Sequence, residues 1–507
     1  MSLLDIALSV AALLTFVVLM VVANIYLKYI KTTKMLAHIP GVNQFIPIDL
    51  IKPNTFLSRF FLSVDGVLFT HALEMKEKYG PVYKIAQGLV TGTIFVHDPD
   101  FGKLIAAKGG KVFKKDQLLN DGFLSLFGDH SIFTTNEEAV WRRHRSMLNP
   151  AFTDEKLQNA VVRETNKTLT ELLHSINQQN VREVSEDMSN LTLDIVGRAG
   201  FGYEFGCTNK SNHANSKPLS ENTKTILSNL VFFLMSPFKT VSEKYLSTFK
   251  PIKALFDSRE VFIQEISNII ENRRREGAPE ENDILSLLLR GSSTDKDGTM
   301  VDRELINNCL VMIIAGHETT SHALTFSLYL LAKHQDIQEA VYNSIKEKIQ
   351  KPQEREFTYE DYEENLIQVH HVFDEALRLY PVAVGNTRQL AMDVDFKGYR
   401  LPKHSNVTYN WYTEFMDEKN FYKPKEFIPS RWNEDSKGPS SYTPFGVGNR
   451  SCIGKKFAKI EAVLSLARIL SNFKVTLRDA DAKLTPVQDF TLRAGEVFLT
   501  FNKRQDF

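Results

Sequence analysis

The residues best suited to chemistry lie near the C-terminus, in Phe445-Gly-Val-Gly-Asn-Arg-Ser-Cys-Ile-Gly454. Cys452 sits where a glycine-rich loop runs into an apolar helical pattern. The first N–H groups of a helix have no partner inside it. With the loop amides they can donate to an anionic sulfur, which lowers its pKa and tunes its donation to a metal. Gly448 and Gly454 allow tight backbone turns that a Cβ would hinder. Phe445 can cover one side of the sulfur, and Arg450 is a natural partner for an anion. A lone cysteine is more often a small buried hydrophobe. Here every position of the loop suits the sulfur's use as a ligand.

A second cluster is Val311–Ser321, VMIIAGHETTS. Its apolar run is broken by a small pair, Ala315-Gly316, and then by an acid–alcohol pair, Glu318-Thr319. Gly316 removes bulk, so a flat group can approach the backbone. A Thr hydroxyl can bond into the helix ladder and bend it. Glu375-Ala-Leu-Arg378 places a carboxylate and a guanidinium on one helix face. Trp141-Arg-Arg-His-Arg145, Arg388 and Arg450 offer forks suited to carboxylates. Taken singly, each of these is most simply a packing or solvated residue.

Taken together they resemble one family. The cysteine stretch matches FxxGxRxCxG, and the chain resembles the cytochrome P-450 superfamily over essentially its full length. The resemblance implies a mainly α fold with small β-sheets. It implies haem b, with Cys452 as the metal ligand and Gly316, Phe445 and Gly454 beside the cofactor. Thr319 would hydrogen-bond on the oxygen-binding side, and Glu318 would stand in a proton-delivery path. Trp141 and Arg145 would hold one propionate, with Arg388 and Arg450 supplying other contacts. Glu375 and Arg378 would join Arg431 of Phe427-Ile-Pro-Ser-Arg431-Trp432 in a structural ion network that holds the cysteine loop. The family often has Glu where this chain has Ser430, which receives no role. His317 occupies a variable position, so packing or solvation is its expected use. Ala315 stands where one branch has the Glu that ester-links haem, which implies non-covalent haem apart from the sulfur bond.

Retention of Glu318-Thr319 favours an oxygen-dependent monooxygenase. The alternatives are a haem-thiolate isomerase or dehydratase that needs no external oxygen, and a non-enzymatic haem sensor or carrier. By the same resemblance, residues 111–136, 311–315, 381–387 and 490–492 line the substrate cavity. The apolar segment 220–238 reads either as the lid of an access channel or as an ordinary buried helix. These regions imply a lipophilic substrate: a fatty acid, sterol, terpenoid or xenobiotic. The chain carries no GxGxxG, so electrons are expected from an NADPH-dependent reductase, with cytochrome b5 as another donor. Docking is expected on the cysteine side, near Lys455 and Lys456.

The elements that must position these residues follow from periodicity. Val301–Lys333, Asp336–Gln350, Asn365–Leu379 and Lys455–Ser471 carry apolar residues at helical spacing. Strand signals are short, near Pro81–Val96, Val394–Leu401 and Val475–Phe501. The basic run Arg273–Arg275 reads as a solvated helix end. Among 507 residues, Lys+Arg and Asp+Glu are both 61, which removes the basic excess a nucleic-acid partner needs. Three cysteines without a CxxC argue against disulfides, a cysteine zinc site and an iron–sulfur cluster.

Ile6–Leu27 holds no charged residue and, as a helix, can cross about 30 Å of hydrocarbon. Lys28, Lys31 and Lys34 follow it, which orients the bulk of the chain to the cytoplasm. The expected organisation is a membrane anchor at 1–34, a proline-containing connector at 35–50 and a catalytic domain at 51–507. The expected location is the endoplasmic reticulum membrane, spanned once.

Overall fold

A computed structural model describes residues 3–44, 68–87, 92–209, 216–235, 250–277, 283–293, 300–433, 441–488 and 490–504. The chain forms two compact units, one of residues 1–116 with 385–413, the other of 117–384 with 414–507.

The first unit holds most of the strand. Its six-stranded sheet has the order β1-β2-β3-β9-β6-β4, with β1 Gly41–Gln44, β2 Val82–Gln87, β3 Thr93–Val96, β4 Phe113–Lys115, β6 Gly385–Leu390 and β9 Asn406–Asn410. β1 runs parallel to β2 and β3 parallel to β9; the other pairs are antiparallel. β7 (Val394–Phe396) and β8 (Tyr399–Leu401) form a hairpin. An aromatic core forms around Phe101, whose ring meets Phe113 at 5.6 Å and Phe396 at 5.0 Å, both edge-on.

The connector expected at 35–50 is therefore partly a strand. Gly41 makes this physically possible: at φ +142° a Cβ there would lie 2.0 Å from the Lys84 carbonyl oxygen. Pro47 lies outside the described residues. Ahead of the connector, a helix runs through Leu3–Met35, and the buried Lys84 ammonium donates to the Leu36 carbonyl just past it. The apolar run Ile6–Leu27 falls within this helix; before Val22 the structure describes only the side chains of Ala12, Thr15, Phe16, Leu19 and Met20. Among the described residues, no helix is long and apolar enough to cross a membrane.

The second unit is helical. Its axis is the 32-residue helix Asp302–Lys333, which starts with Asp302 and Glu304 and ends with Lys333, charges that oppose its dipole at both ends. From Asn307 to Ala332 it is buried nearly all round, as an interior helix is, and it carries polar residues such as Asn308, Glu318 and Thr325 inside. Glu138–Thr153, Glu155–Gln178, Val184–Ile195, Ile367–Leu379 and Lys455–Asn472 surround or support it. Val184–Ile195 continues into a π-helical turn, Val196–Gly200. Two small antiparallel sheets complete the unit: β10 (Phe473–Leu477), β13 (Phe498–Lys503) and β5 (Val181–Glu183), and the pair β11 (Val487–Gln488) and β12 (Leu492–Arg493).

The four expected helices form within two residues of their sequence limits. The basic run Arg273–Arg275 ends its helix, with Arg274 and Arg275 exposed as expected and Arg273 the exception. Arg273 is largely covered and bonds Asp283 at 2.8 Å and the Phe201 carbonyl at 2.7 Å. It ties its helix to neighbouring chain rather than facing solvent.

Candidate functional site

The cysteine loop turns through two left-handed glycines, Gly446 (φ +77°) and Gly448 (φ +69°), a region that L side chains avoid. Gly454 has an ordinary φ of −84°. A Cβ there would lie 4.0 Å from the Cys452 sulfur and 3.9 Å from the Phe152 ring, ordinary van der Waals contact, so space alone does not demand glycine. The turn-forming glycines are thus Gly446 and Gly448. The Cys452 N–H closes the loop onto the Phe445 carbonyl at 2.9 Å.

Cys452 is exposed, yet burial pushes its thiol pKa up. The Gly454 N–H, Arg145 and Lys455 oppose the rise without overcoming it. Sequence reasoning expected the loop amides to lower this pKa; desolvation is the larger effect. A coordinated metal would supply what the loop does not, because metal-bound thiols are deprotonated outright.

The central helix shows matching open space. Between Asn307 and Ala332, every residue is buried except Ala315, Gly316, Thr319 and His322. Ala315, Thr319 and His322 are spaced i, i+4, i+7, so one stripe of the helix is uncovered at its middle. Thr319 bonds back to the Ala315 carbonyl at 3.0 Å, as expected for a mid-helix Thr. Gly316 has a reason that sequence reasoning missed: a Cβ there would meet Val196 of the π-helical turn at 2.8 Å. Its small size admits the neighbouring helix. The open stripe belongs chiefly to Ala315.

Glu318 is buried, and its carboxyl accepts the Thr491 hydroxyl at 2.7 Å and lies 3.4 Å from His322 Nε2. His322, at i+4, was legible from spacing alone. Thr491, 173 residues away, was not. His317 is packed: it is buried, bonds the Ile313 carbonyl at 3.0 Å, and burial lowers its pKa.

Two arginines stand in surroundings short of anions. The Arg450 guanidinium lies over the buried Trp141 ring at 4.5 Å and donates to the Thr135 carbonyl at 3.1 Å. Among the described residues its carboxylate partner is Glu138, at a loose 3.9 Å. Burial pulls its pKa down to about 10. Arg145 donates to the Ser451 carbonyl at 3.0 Å, and burial lowers its pKa too. A group bringing carboxylates would relieve both. Arg388 lies in the other compact unit, on β6, where it donates to Asn386 and to the Thr387 carbonyl.

Glu375, Arg378 and Arg431 meet in one ion network, joined by the Ile428 N–H and the Trp432 indole. Glu375 and Arg378 are both fully buried. One Glu375 oxygen accepts from Arg378 at 2.9 Å, Arg431 at 3.0 Å and the Ile428 N–H at 3.0 Å. The other accepts from Arg378 at 3.0 Å and the Trp432 indole at 3.1 Å. Arg378 also donates to the carbonyls of Phe415, Pro424 and Glu426. These bonds weld the helix Ile367–Leu379 to the segment that precedes the cysteine loop.

A polar groove of about 530 Å³ lies elsewhere, lined among others by Lys156, Arg198, Tyr203, Arg273 and Asp283. Its arginines are already paired, Arg198 with Glu171 and Glu204, and Arg273 with Asp283. It contains none of the residues above.

A soft sulfur, an uncovered stripe on a buried helix and two anion-poor arginines fit a flat iron cofactor bearing carboxylates. Comparison with known proteins agrees. The chain is 30% identical to cytochrome P450 3A41 of Mus musculus over 83% of its length and 84% of that protein's. It is 30% identical to cytochrome P450 3A5 of Homo sapiens, over 81% of this chain and 82% of that one. The crystal structure of a cytochrome P450, CYP102L1, shares the fold with a TM-score of 0.75 at 24% identity, covering 88% of this chain and 96% of that one. The family model described as cytochrome P450 matches residues 53–501, and the chain accordingly belongs to the cytochrome P450 family, monooxygenases that work with cysteine-ligated haem.

Proposed function

We propose that this protein is a membrane-anchored monooxygenase in which Cys452 ligates the haem iron and Glu318 and Thr319 manage protons for the oxidation of a lipophilic small molecule. When bound, the haem supplies the redox centre at which one atom of O2 enters substrate and the other leaves as water.

The protein's own residues do the rest. The Gly454 N–H points to the Cys452 sulfur and favours its anionic form. Arg145 and Arg450, with Trp141 beneath Arg450, bind the carboxylate edge, and Arg388 serves the second carboxylate. Arginine suits this because its fork is planar and always charged. Phe445 shields the sulfur side. Ala315 leaves room along the helix, and Gly316 lets the neighbouring helix pass close by. Thr319 presents a hydroxyl on the uncovered stripe, and Glu318, one residue before it, holds the exchangeable proton. Glu375, Arg378 and Arg431 are structural: they fix the cysteine loop and touch no reacting atom.

The observation that carries this reading is Cys452, an exposed residue at the end of the glycine loop whose thiol pKa is nonetheless raised by burial. The substrate is read as a fatty acid, sterol, terpenoid or xenobiotic from the apolar character of residues 311–315 and 490–492. Electrons are read as coming from an NADPH-dependent reductase or cytochrome b5, with the exposed Lys455 on the docking side. Anchoring in the endoplasmic reticulum membrane by a single span is supported by the apolar run Ile6–Leu27 and by exposed Phe16, Leu19, Met20 and Leu27 on its helix.

The test is Cys452→Ala. Wild-type protein expressed with ample haem should show the ferrous carbonyl absorption of a thiolate-ligated haem, and the variant should lose it. A colourless wild type, or a spectrum of the histidine-ligated kind, overturns the assignment.

A further inference from the structure

Glu318 is held from two directions that the acid–alcohol motif does not specify. Its Oε1 accepts the Thr491 hydroxyl at 2.7 Å and lies 3.4 Å from His322 Nε2. Glu318 and Thr491 are buried, and the His322 side chain is the least covered of the three, at 17% exposure. A glutamate side chain has three rotatable bonds and swings between rotamers unless restrained. His322 restrains it from its own helix. Thr491 restrains it from a different part of the fold.

The segment bearing Thr491 is itself braced on both sides. The Leu492 N–H donates to the Val382 carbonyl at 2.8 Å, and β12 pairs with β11 through Gln488 and Leu492. On the other side the Phe490 ring meets Phe123 at 4.9 Å, tilted by 69°. Phe490 is 41% exposed although it packs on the buried Phe123. The hydroxyl that fixes the acid is thus flanked by an aromatic ring available to an apolar ligand.

We propose that Thr491 is a positioning residue for proton delivery: its hydroxyl holds the Glu318 carboxyl in the orientation from which a proton passes toward Thr319, with His322 as the second restraint. This rests on the reading of Glu318 as the proton-delivering acid. It ties that acid to the segment that meets substrate, so the two are set by one short stretch of chain.

The experiment uses the full-length, haem-loaded protein. Thr491→Val removes the hydroxyl at nearly constant shape, and Thr491→Ser keeps it. The first readout is infrared difference spectroscopy of the Glu318 carboxyl band, identified as the band that Glu318→Gln removes. Thr491→Val should shift this band and Thr491→Ser should retain its wild-type position. The second readout is product formed per NADPH with lauric acid as probe and a reductase present. Thr491→Val should divert reducing equivalents to peroxide roughly tenfold more than wild type, as loss of one buried hydrogen bond implies, and Thr491→Ser should rescue coupling. A carboxyl band unmoved in Thr491→Val overturns the proposal whatever lauric acid does. If Glu318→Gln itself leaves coupling intact, the proton-delivery reading fails instead, and the infrared result still decides whether Thr491 holds the carboxyl.

Discussion

Replacing Glu375 by Gln changes the side chain's shape very little and its charge completely. The carboxylate accepts from two guanidiniums, a backbone N–H and an indole. Arg378 is fully buried and the Arg431 side chain is 10% exposed. Removing the charge leaves both cations uncompensated, which costs about 3–5 kcal/mol for a broken buried pair. The amide nitrogen adds a second defect. In its less damaging orientation it takes the place of the oxygen that accepts from Arg378 Nε and Trp432 Nε1, so two donors face an N–H group. An unsatisfied buried donor costs about 1–3 kcal/mol. Part of that is already contained in the first figure, so a total of about 5 kcal/mol is expected. A typical domain has only about 5–15 kcal/mol. Glu375→Gln should therefore lower the denaturant midpoint steeply and abolish stable haem loading. Glu375→Asp, which keeps the charge on a shorter stem, should lie between the variant and wild type. The assay is paired: urea unfolding followed by circular dichroism, and haem absorbance of the same samples. A Gln variant within about 1 kcal/mol of wild type and normally loaded with haem would refute the reasoning.

Two further expectations follow from charge and burial. Arg450→Leu keeps apolar contact with Trp141 and removes the cation, so haem should leave roughly 10- to 100-fold faster, as loss of a charged hydrogen bond implies; transfer of haem to a scavenger protein measures it, and an unchanged rate counts against Arg450 as a carboxylate partner. Two buried histidines should make the fold acid-sensitive: burial, with Lys76 near one and Arg143 near the other, brings His97 down to about 3 and His144 down to about 4, from an ordinary 6.5. Glu304, 3.6 Å from His144, is already engaged by Arg143 at 2.8 Å. Between those values and 6.5 the unfolded chain binds protons that the fold excludes. Stability should be fully present above pH 6.5 and fall as pH drops toward 4, by about 1.4 kcal/mol per pH unit for each histidine; His144→Asn should flatten that slope when unfolding is measured at pH 7 and pH 5.

Much of the protein was legible because local rules dictate it. The helix Asp302–Lys333 announces itself by apolar residues recurring at helical spacing, and Lys455–Asn472 by the same pattern behind a glycine loop. Glu375 and Arg378 share a face because they are three apart on a helix, and no tertiary contact can change that. The anion-poor arginines were identifiable in kind, since a guanidinium keeps its charge wherever it is buried. Strands fared worse. β6, β9 and β4 are three to six residues long, and β9 finds its partner across Thr93↔Asn406, so no local period marks them.

What tertiary structure alone decided is which force wins at each atom. The sequence puts amides and cations around Cys452, but the depth of enclosure makes desolvation the larger influence on its proton. Gly316 is small in any conformation; that its missing atom is occupied by Val196 depends on how a second helix crosses the first. Glu318 is an acid from its letter alone, yet its orientation is set by Thr491, which no spacing rule connects to it. Residue types and short-range periods travel with the chain. Burial, and the partners met across long loops, exist only once the chain has closed on itself.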